Sequence, residues 1–289
     1  MFDLHMHSTF SDGKDDLDTL ISNVAKAGID FFSVTDHDIA EAGRVILGSK
    51  EYQNKIKELG LKYVPGVEFT CKYKGHKMHI LAYDFDPNNP VVLELEAEMK
   101  DLLKQKDVYR FEAIEKAGYV LSEKSKEYLA SRENIRKLDL ANVLIDDGYF
   151  DDKEAAIKGF LDNIKYPVNY KLDAEKVIKK MTSIGAKVVW AHSIFGIGDP
   201  VLPFDELEEI AKEFKSFGMV GLEAFYSLYN KEQIQKLLEI AERLDLFVTV
   251  GSDYHGKNKN VGLGEFSSDG TLCDESKIKV DKIFKNIVG

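Results

Sequence analysis

Apolar segments of this chain alternate between two periodicities. Seven short runs, FDLHMH, DFFSVTDHD, KYVPGVEFT, HKMHILAYDF, AKVVWAHS, MVGLEAFY and LFVTVGSDYH, read as buried strands. Between most of them the apolar residues recur at helical spacing. Asp16 to Ala27 is one such helix, closed by Gly28, where a residue without Cβ takes the left-handed turn. A single long polar helix is expected from about Ala40 to Leu59, closed by Gly60, and KEQIQKLLEIAERLDL leads into LFVTV. Such alternation restricts the fold to an α/β class built on a parallel sheet with crossover helices. Seven strands favour a closed barrel over an open sheet. No glycine-rich phosphate loop follows the first strand, as an open dinucleotide-binding sheet would need.

Residues between Pro87 and Pro167 break the rhythm and read as helical almost throughout, in VVLELEAEMKDLLKQKDVYRFEAIEKAG, ENIRKLDLANVLIDDG and DDKEAAIKGFLDN. The expected organisation is a barrel formed by residues 1–86 and 168–289, with residues 87–167 as a helical cap insertion. Long insertions in such barrels tend to sit at the loop face where chemistry occurs. The 289 residues suffice for one buried core. Their 39 Lys+Arg against 50 Asp+Glu give a net charge of -11, which excludes a duplex-binding protein with a broad basic face. Cys71 and Cys273 are too few for a disulfide scaffold and are expected as reduced thiols. The start, MFDLHMHSTFSDGK, lacks the charged and apolar regions of a secretion signal. No run approaches the roughly 20 apolar residues of a membrane span. The cytoplasm is the expected compartment, with no membrane partner.

The histidines are not scattered. His5 and His7 flank Met6 at the end of the first strand and share one face, since strand side chains repeat every two residues. Asp12 follows in the loop. Asp36, His37 and Asp38 end the second strand, Glu68 the third, and His79 lies in the fourth. His192 ends VVWAH, and Asp253 and His255 end LFVTVGSDYH. Taken singly, each group has a plainer reading: Asp36-His37-Asp38 as a helix N-cap cluster, for example. Together they place imidazoles and carboxylates at strand ends, which converge on one mouth in a parallel barrel. That donor set suits Zn, Mn or Fe without any thiolate. Nine candidates exceed what one ion takes, so two or three divalent ions are implied. His76 has no such position and is expected to be exposed.

HMHSTFSDG, VTDHD, PGVEFT, KMHILAY, VWAHS and GSDYHG, in that order and followed by VGLGEF, resemble the motifs of the polymerase and histidinol phosphatase (PHP) family. The resemblance runs the length of the chain and is loosest in the helical insertion. It implies a distorted seven-stranded TIM-like (β/α)7 barrel with a trinuclear metal centre. By this resemblance His5, His7, Glu68 and Asp253 hold the first metal. Glu68 bridges to a second, completed by His79 and His192, while Asp12, His37 and His255 hold the third. Some members carry histidine where Asp12 stands; the carboxylate hardens that site and favours Mn or Fe beside Zn. A water activated between the first two metals would attack phosphorus, with the metals neutralising developing charge. His192 and Asp38 are candidates for protonating the leaving oxygen.

The layout is most similar to the capped branch that includes nucleoside 3',5'-bisphosphate phosphatases and 5'-to-3' exoribonucleases on short RNA. Members often show Arg-Pro-His-Ile-Ala in the cap, where this chain has Arg136 followed by Lys137-Leu138-Asp139-Leu140-Ala141. Lysine is a point charge where arginine forks a phosphate, and Asp139 would repel a second phosphate, which weakens the bisphosphate assignment. Arg132, Arg136 and Lys137 read either as phosphate contacts or as a solvated helix face. Ser193 stands where the family tends to have proline, and Tyr226 reads either as a stacking platform for a base or sugar or as a packing residue. The resemblance implies a metal-dependent phosphoesterase acting on a small phosphorylated nucleotide or short single-stranded RNA, not on long duplexes. Histidinol-phosphate phosphatase is the alternative enzyme. A non-catalytic metal-binding or polymerase-accessory module is the alternative of another class, but it predicts lost ligands, and all nine positions are filled.

Overall fold

A computed structural model describes residues 1–132, 135–195, 201–278 and 283–289. The chain begins with β1 (Phe2–Asp3), α1 (Leu17–Lys26), β2 (Phe31–Phe32), α2 (Glu41–Gly48), α3 (Lys50–Glu58), β3 (Lys62–Tyr63), β4 (Gly66–Tyr73) and β5 (His76–Tyr83). It continues through α4 (Pro90–Lys116), α5 (Glu123–Ala130), α6 (Lys137–Asp146) and α7 (Lys153–Gly159). It ends with β6 (Leu172–Asp173), α8 (Ala174–Ser183), β7 (Lys187–Trp190), α9 (Phe204–Phe217), β8 (Gly221–Tyr226), α10 (Lys231–Arg243) and β9 (Phe247–Gly251). Two compact units result: Met1–Ala97 with Leu172–Gly289, and Glu98–Lys171. Among the described residues no helix is long and apolar enough to cross a membrane.

The larger unit is an α/β structure with two sheets, one ordered β1-β2-β3 and one ordered β6-β4-β5-β7-β8-β9. Helix α1 shows how its layers join. Asp16 caps it by accepting the Thr19 N–H at 2.8 Å. Its buried residues Leu17, Leu20, Ile21 and Val24 fall on one face and pack with Phe32, Ile46, Ile56 and Tyr63. Each such buried aliphatic contributes about 1.5–3 kcal/mol. Hydrogen bonds run from the β1 segment to the end of β9 (Leu4 N to Val250 O, 2.9 Å; Asp253 N to His5 O, 2.8 Å; His7 N to Tyr254 O, 2.9 Å). Others run between the continuation of β2 and β4 (Glu68 N to Asp36 O, 3.2 Å; Asp38 N to Glu68 O, 2.9 Å).

Three sequence expectations are corrected here. The sheet is mixed rather than parallel, because β5 runs antiparallel to both β4 and β7. Its cause is local: Lys74 and Gly75 both take positive φ, 47° and 87°, and join paired Tyr73 and His76 in a two-residue hairpin. The long helix expected from Ala40 to Leu59 is two helices, since Ser49 is extended and its side chain accepts from Tyr52 N to start α3. The third strand is divided at Pro65, which has no N–H to donate.

The smaller unit is helical and has its own core of Ile114, Leu129, Leu140, Val143, Leu144 and Leu161. Of the helix expected from Glu133, residues 133–134 lie outside the described residues, and α6 begins at Lys137.

Beyond β5, Asp84 clasps the last segment of the chain. It is buried, takes φ 61°, and accepts N–H groups from Lys285, from Asn286 and from the Asn286 side chain, each at 2.8 Å. Asp84→Ala leaves those donors without an acceptor and is expected to lose about 2–4 kcal/mol of stability. Urea titration should show a lower midpoint, with Asp84→Asn falling between the variant and the parent. An unchanged midpoint would exclude the clasp.

Candidate metal centre

Strand ends deliver the site. His5 and His7 leave β1 on one face, His37 follows β2, Glu68 lies in β4, His79 in β5, His192 just beyond β7, and Asp253 and His255 just beyond β9. Glu68 is buried at their centre. Its Oε2 lies 3.1 Å from His5 Nε2, 3.2 Å from His7 Nε2 and 3.1 Å from His37 Nδ1. Its Oε1 lies 2.8 Å from His79 Nδ1 and 3.0 Å from His192 Nε2. Asp253 Oδ1 lies 3.2 Å from His7 Nε2. Asp12 Oδ1 lies 3.1 Å from His255 Nε2 and 3.9 Å from His37 Nε2. Thus all nine sequence candidates for metal ligation meet in one cluster.

A second layer fixes the ring orientations. His5 Nδ1 lies 2.9 Å from Glu223 Oε1, His255 Nδ1 lies 2.8 Å from the Asp253 carbonyl, and His192 Nδ1 lies 3.2 Å from the Phe195 carbonyl. In a neutral ring each acceptor places the proton on Nδ1, so that Nε2, which faces a carboxylate oxygen, is the nitrogen available to a metal ion. Each Nε2 and its carboxylate oxygen therefore need a positive charge between them, a ring proton or a metal ion. Five buried atoms of the cluster accordingly have no hydrogen-bond partner: His5 Nε2, His7 Nε2, His37 Nδ1, Asp12 Oδ1 and Glu68 Oε2. These are donor atoms a divalent ion would take, and the residues present fit one.

Electrostatics express the same demand for positive charge. Burial penalises charge on Glu68, yet the surrounding imidazoles hold it well below the usual carboxylate range, and Asp253 likewise. Burial opposes protonation of His5 too, but Glu68, Glu223 and Asp253 hold it well above the usual imidazole value. His7 is raised to about 9, while burial and neighbouring imidazoles take His37 down to about 3. Backbone strain concentrates here as well: Asp38, His192 and Asp253 have φ of 57°, 27° and 57°, conformations costing about 1–3 kcal/mol each.

The remaining candidates fall elsewhere. Asp36 accepts Ser8 N at 2.8 Å, Ser8 Oγ at 2.7 Å and Ser11 Oγ at 2.6 Å, so it pins the loop leading to Asp12 rather than capping a helix. Asp38 accepts Thr70 N at 2.7 Å. Ser193 is buried. Tyr226 is buried too, and its hydroxyl donates to Asp253 Oδ2 at 2.9 Å, so it positions a carboxylate instead of offering a stacking face. Arg132, Arg136 and Lys137 belong to the helical unit, and each faces an acid there. Asp139 is buried and accepts Arg136 N at 2.8 Å and Tyr128 Oη at 3.1 Å, closing the first turn of α6. His76 is only half-exposed and pairs with Glu206 at 2.9 Å.

Glu223 is the residue that the sequence reading missed. It is fully buried beside a bulge in β8 and holds both His5 Nδ1 and, at 2.7 Å, the backbone N–H of His192. Its signal was one carboxylate inside the otherwise uncharged run GLEAFY.

The sequence profile of the PHP domain matches residues 3–188. The chain belongs to the PHP family. A 5'-3' exoribonuclease of Haemophilus influenzae is 27% identical over 88% of this chain and 89% of its own length. A 3',5'-nucleoside bisphosphate phosphatase of Chromobacterium violaceum is 23% identical over 88% and 86%. A solved structure from Bifidobacterium adolescentis, assigned as a metal-dependent phosphoesterase, matches with a TM-score of 0.70 at 25% identity, over 98% of this PHP chain and 94% of that one. The PHP family and these relatives make the chain a metal-dependent phosphoric ester hydrolase.

Outer partners of a metal-binding histidine typically account for 10–100-fold in affinity. Glu223→Gln is therefore expected to weaken divalent-ion binding by about that factor, measured by competition with a chromophoric chelator. Wild-type affinity in that variant would remove Glu223 from the centre.

Proposed function

We propose that this chain hydrolyses a phosphomonoester or phosphodiester of a small nucleotide or short oligoribonucleotide, using three divalent ions, Zn, Mn or Fe. The observation that carries the reading is the buried meeting of imidazole nitrogens with carboxylate oxygens, His5 Nε2 at 3.1 Å and His192 Nε2 at 3.0 Å from Glu68 and His255 Nε2 at 3.1 Å from Asp12. Three groups of ligand atoms support three ions: His5, His7, Glu68 and Asp253; His7, Asp12, His37 and His255; and His37, Glu68 and His79. A neutral imidazole has one lone pair, so His7 and His37 each serve a single ion. Assigning His7 to the first group and His37 to the second leaves Glu68 Oε1 and His79 Nδ1, and His192 Nε2 completes that set at 3.0 Å from both. Glu68 would then contribute one oxygen to each of two sets. A distorted seven-stranded barrel is proposed with this centre at its mouth, supported by the hydrogen bonds that link β1 to β9 and β2 to β4.

Divalent ions bound there would supply Lewis acidity at phosphorus and lower the pKa of water at the site. The chain's own residues do the rest. Glu68 keeps two sets of imidazoles in register, and Glu223 and the Phe195 carbonyl keep the rings from turning. Of the two candidates for protonating the leaving oxygen, His192 is hydrogen-bonded at both ring nitrogens and Asp38 accepts Thr70 N.

The substrate class rests on the two relatives, one named for RNA and one for a nucleoside bisphosphate. The test is elemental analysis of the purified protein with a phosphate-release screen over 3',5'-adenosine bisphosphate, 5'-phosphorylated short RNA and histidinol phosphate. Stoichiometric metal and turnover of a nucleotide are expected, with both abolished in Glu68→Ala. Turnover of histidinol phosphate alone would replace the substrate class, and a metal-free, inactive protein would falsify the proposal. Asp38→Asn should lower kcat by roughly 10²–10⁴ with metal content unchanged; a parental kcat would clear Asp38 of the proton transfer.

A further inference from the structure

Asp253 presents two different faces. Its Oδ1 turns toward the imidazoles, 3.2 Å from His7 Nε2 and 3.6 Å from His5 Nε2. Its Oδ2 turns outward, where it accepts the Tyr226 hydroxyl at 2.9 Å and is bonded by Lys259 Nζ. The same ammonium donates to Tyr226 Oη at 3.1 Å and lies 5.2 Å from the Tyr226 ring centroid. A cation that is not a ligand thus touches the ligand cluster.

The loop that carries it is anchored. Gly256 turns the chain at φ 64°, and Asn258 Nδ2 donates to the Asp12 carbonyl at 2.5 Å. Contacts with two of the candidate ligands, Asp12 and Asp253, therefore hold Lys259 and its loop in place. Its side chain keeps 27% of its surface exposed and lines an open groove of about 520 Å³ with Lys257, Asn260 and Glu265. A lysine ammonium has three donors and no acceptor. Asp253 and Tyr226 take two, and the third is free to meet an anion.

We propose that Lys259 binds substrate in the phosphoester reaction, donating its third N–H to a phosphoryl oxygen while the other two brace Asp253 and Tyr226. This inference rests on the metal-dependent phosphoesterase reading. Cations held on the inner face of Asp253 draw on the same carboxylate and loosen its claim on the ammonium. The outer face then offers a fixed point charge in a chain whose net charge is -11. Lysine suits this place, because one phosphoryl oxygen needs one donor rather than the parallel pair of an arginine.

The test uses the metal-loaded full chain as wild type, Lys259→Gln, Lys259→Met and Lys259→Arg. Elemental analysis gives metal content, calorimetry gives the Kd of inorganic phosphate, and kinetics give KM and kcat. The Gln and Met variants are expected to retain full metal content, to bind phosphate about tenfold or more weakly and to raise KM in step. Lys259→Arg, which keeps the charge, should return phosphate affinity to within about threefold of wild type. Unaltered phosphate affinity in the Gln and Met variants at full metal content would overturn the proposal. Metal loss in both, with normal phosphate affinity in the loaded fraction, would also overturn it and leave Lys259 as a brace for Asp253. Wild-type protein without metal would instead bring down the phosphoesterase reading beneath it.

Discussion

Glu68 is one buried carboxylate facing five imidazoles, and the larger unit is arranged around keeping it there. A lone buried carboxylate costs several kcal/mol unless positive charge reaches it. His5, His7, His37, His79 and His192 arrive from four different strands or their ends, so no local segment could assemble this environment. The antiparallel strand β5 has a particular part in it. By turning back from β4 through a two-residue hairpin, it sets His79 within 2.8 Å of Glu68 on the neighbouring strand.

Rigidity comes from residues that need not bind a metal themselves. Glu223 joins a ring nitrogen of His5 to the backbone of His192, and Asp36 ties three donors of the loop before Asp12. Gly251 belongs to the same set. A Cβ there would lie 2.2 Å from His5 Cβ and 2.5 Å from Glu223 Oε1, so only glycine lets β9 approach His5 this closely. Strained φ at Asp38, His192 and Asp253 persists because these contacts over-determine the backbone.

Much of the centre was legible because its chemistry follows strand periodicity. His5 and His7, and Asp253 and His255, stand two apart, which is enough to place each pair from sequence. Glu223 carries no such spacing, and its role depends on a bulge and on two strands remote in sequence. The direction of β5 is set by the Lys74-Gly75 turn, which joins Tyr73 to His76 too tightly for the crossover a parallel strand needs. Ser49 illustrates a different limit: a helical run continues across it in pattern, yet its side chain can start a new helix as readily as it can sit within one. Asp139 was read by charge alone, whereas its backbone position made it a cap.

The pairing of the β1 segment with the residues after β9 has a consequence for synthesis. His5 and His7 emerge from the ribosome early, but Asp253 and His255, together with the strand against which the first two must lie, emerge late. Between the two, the nascent chain holds imidazoles without the scaffold that aims them. An ion meeting the chain in that interval would find an incomplete, exchangeable ligand set, so the choice of metal would fall after Asp253 and His255 have been made.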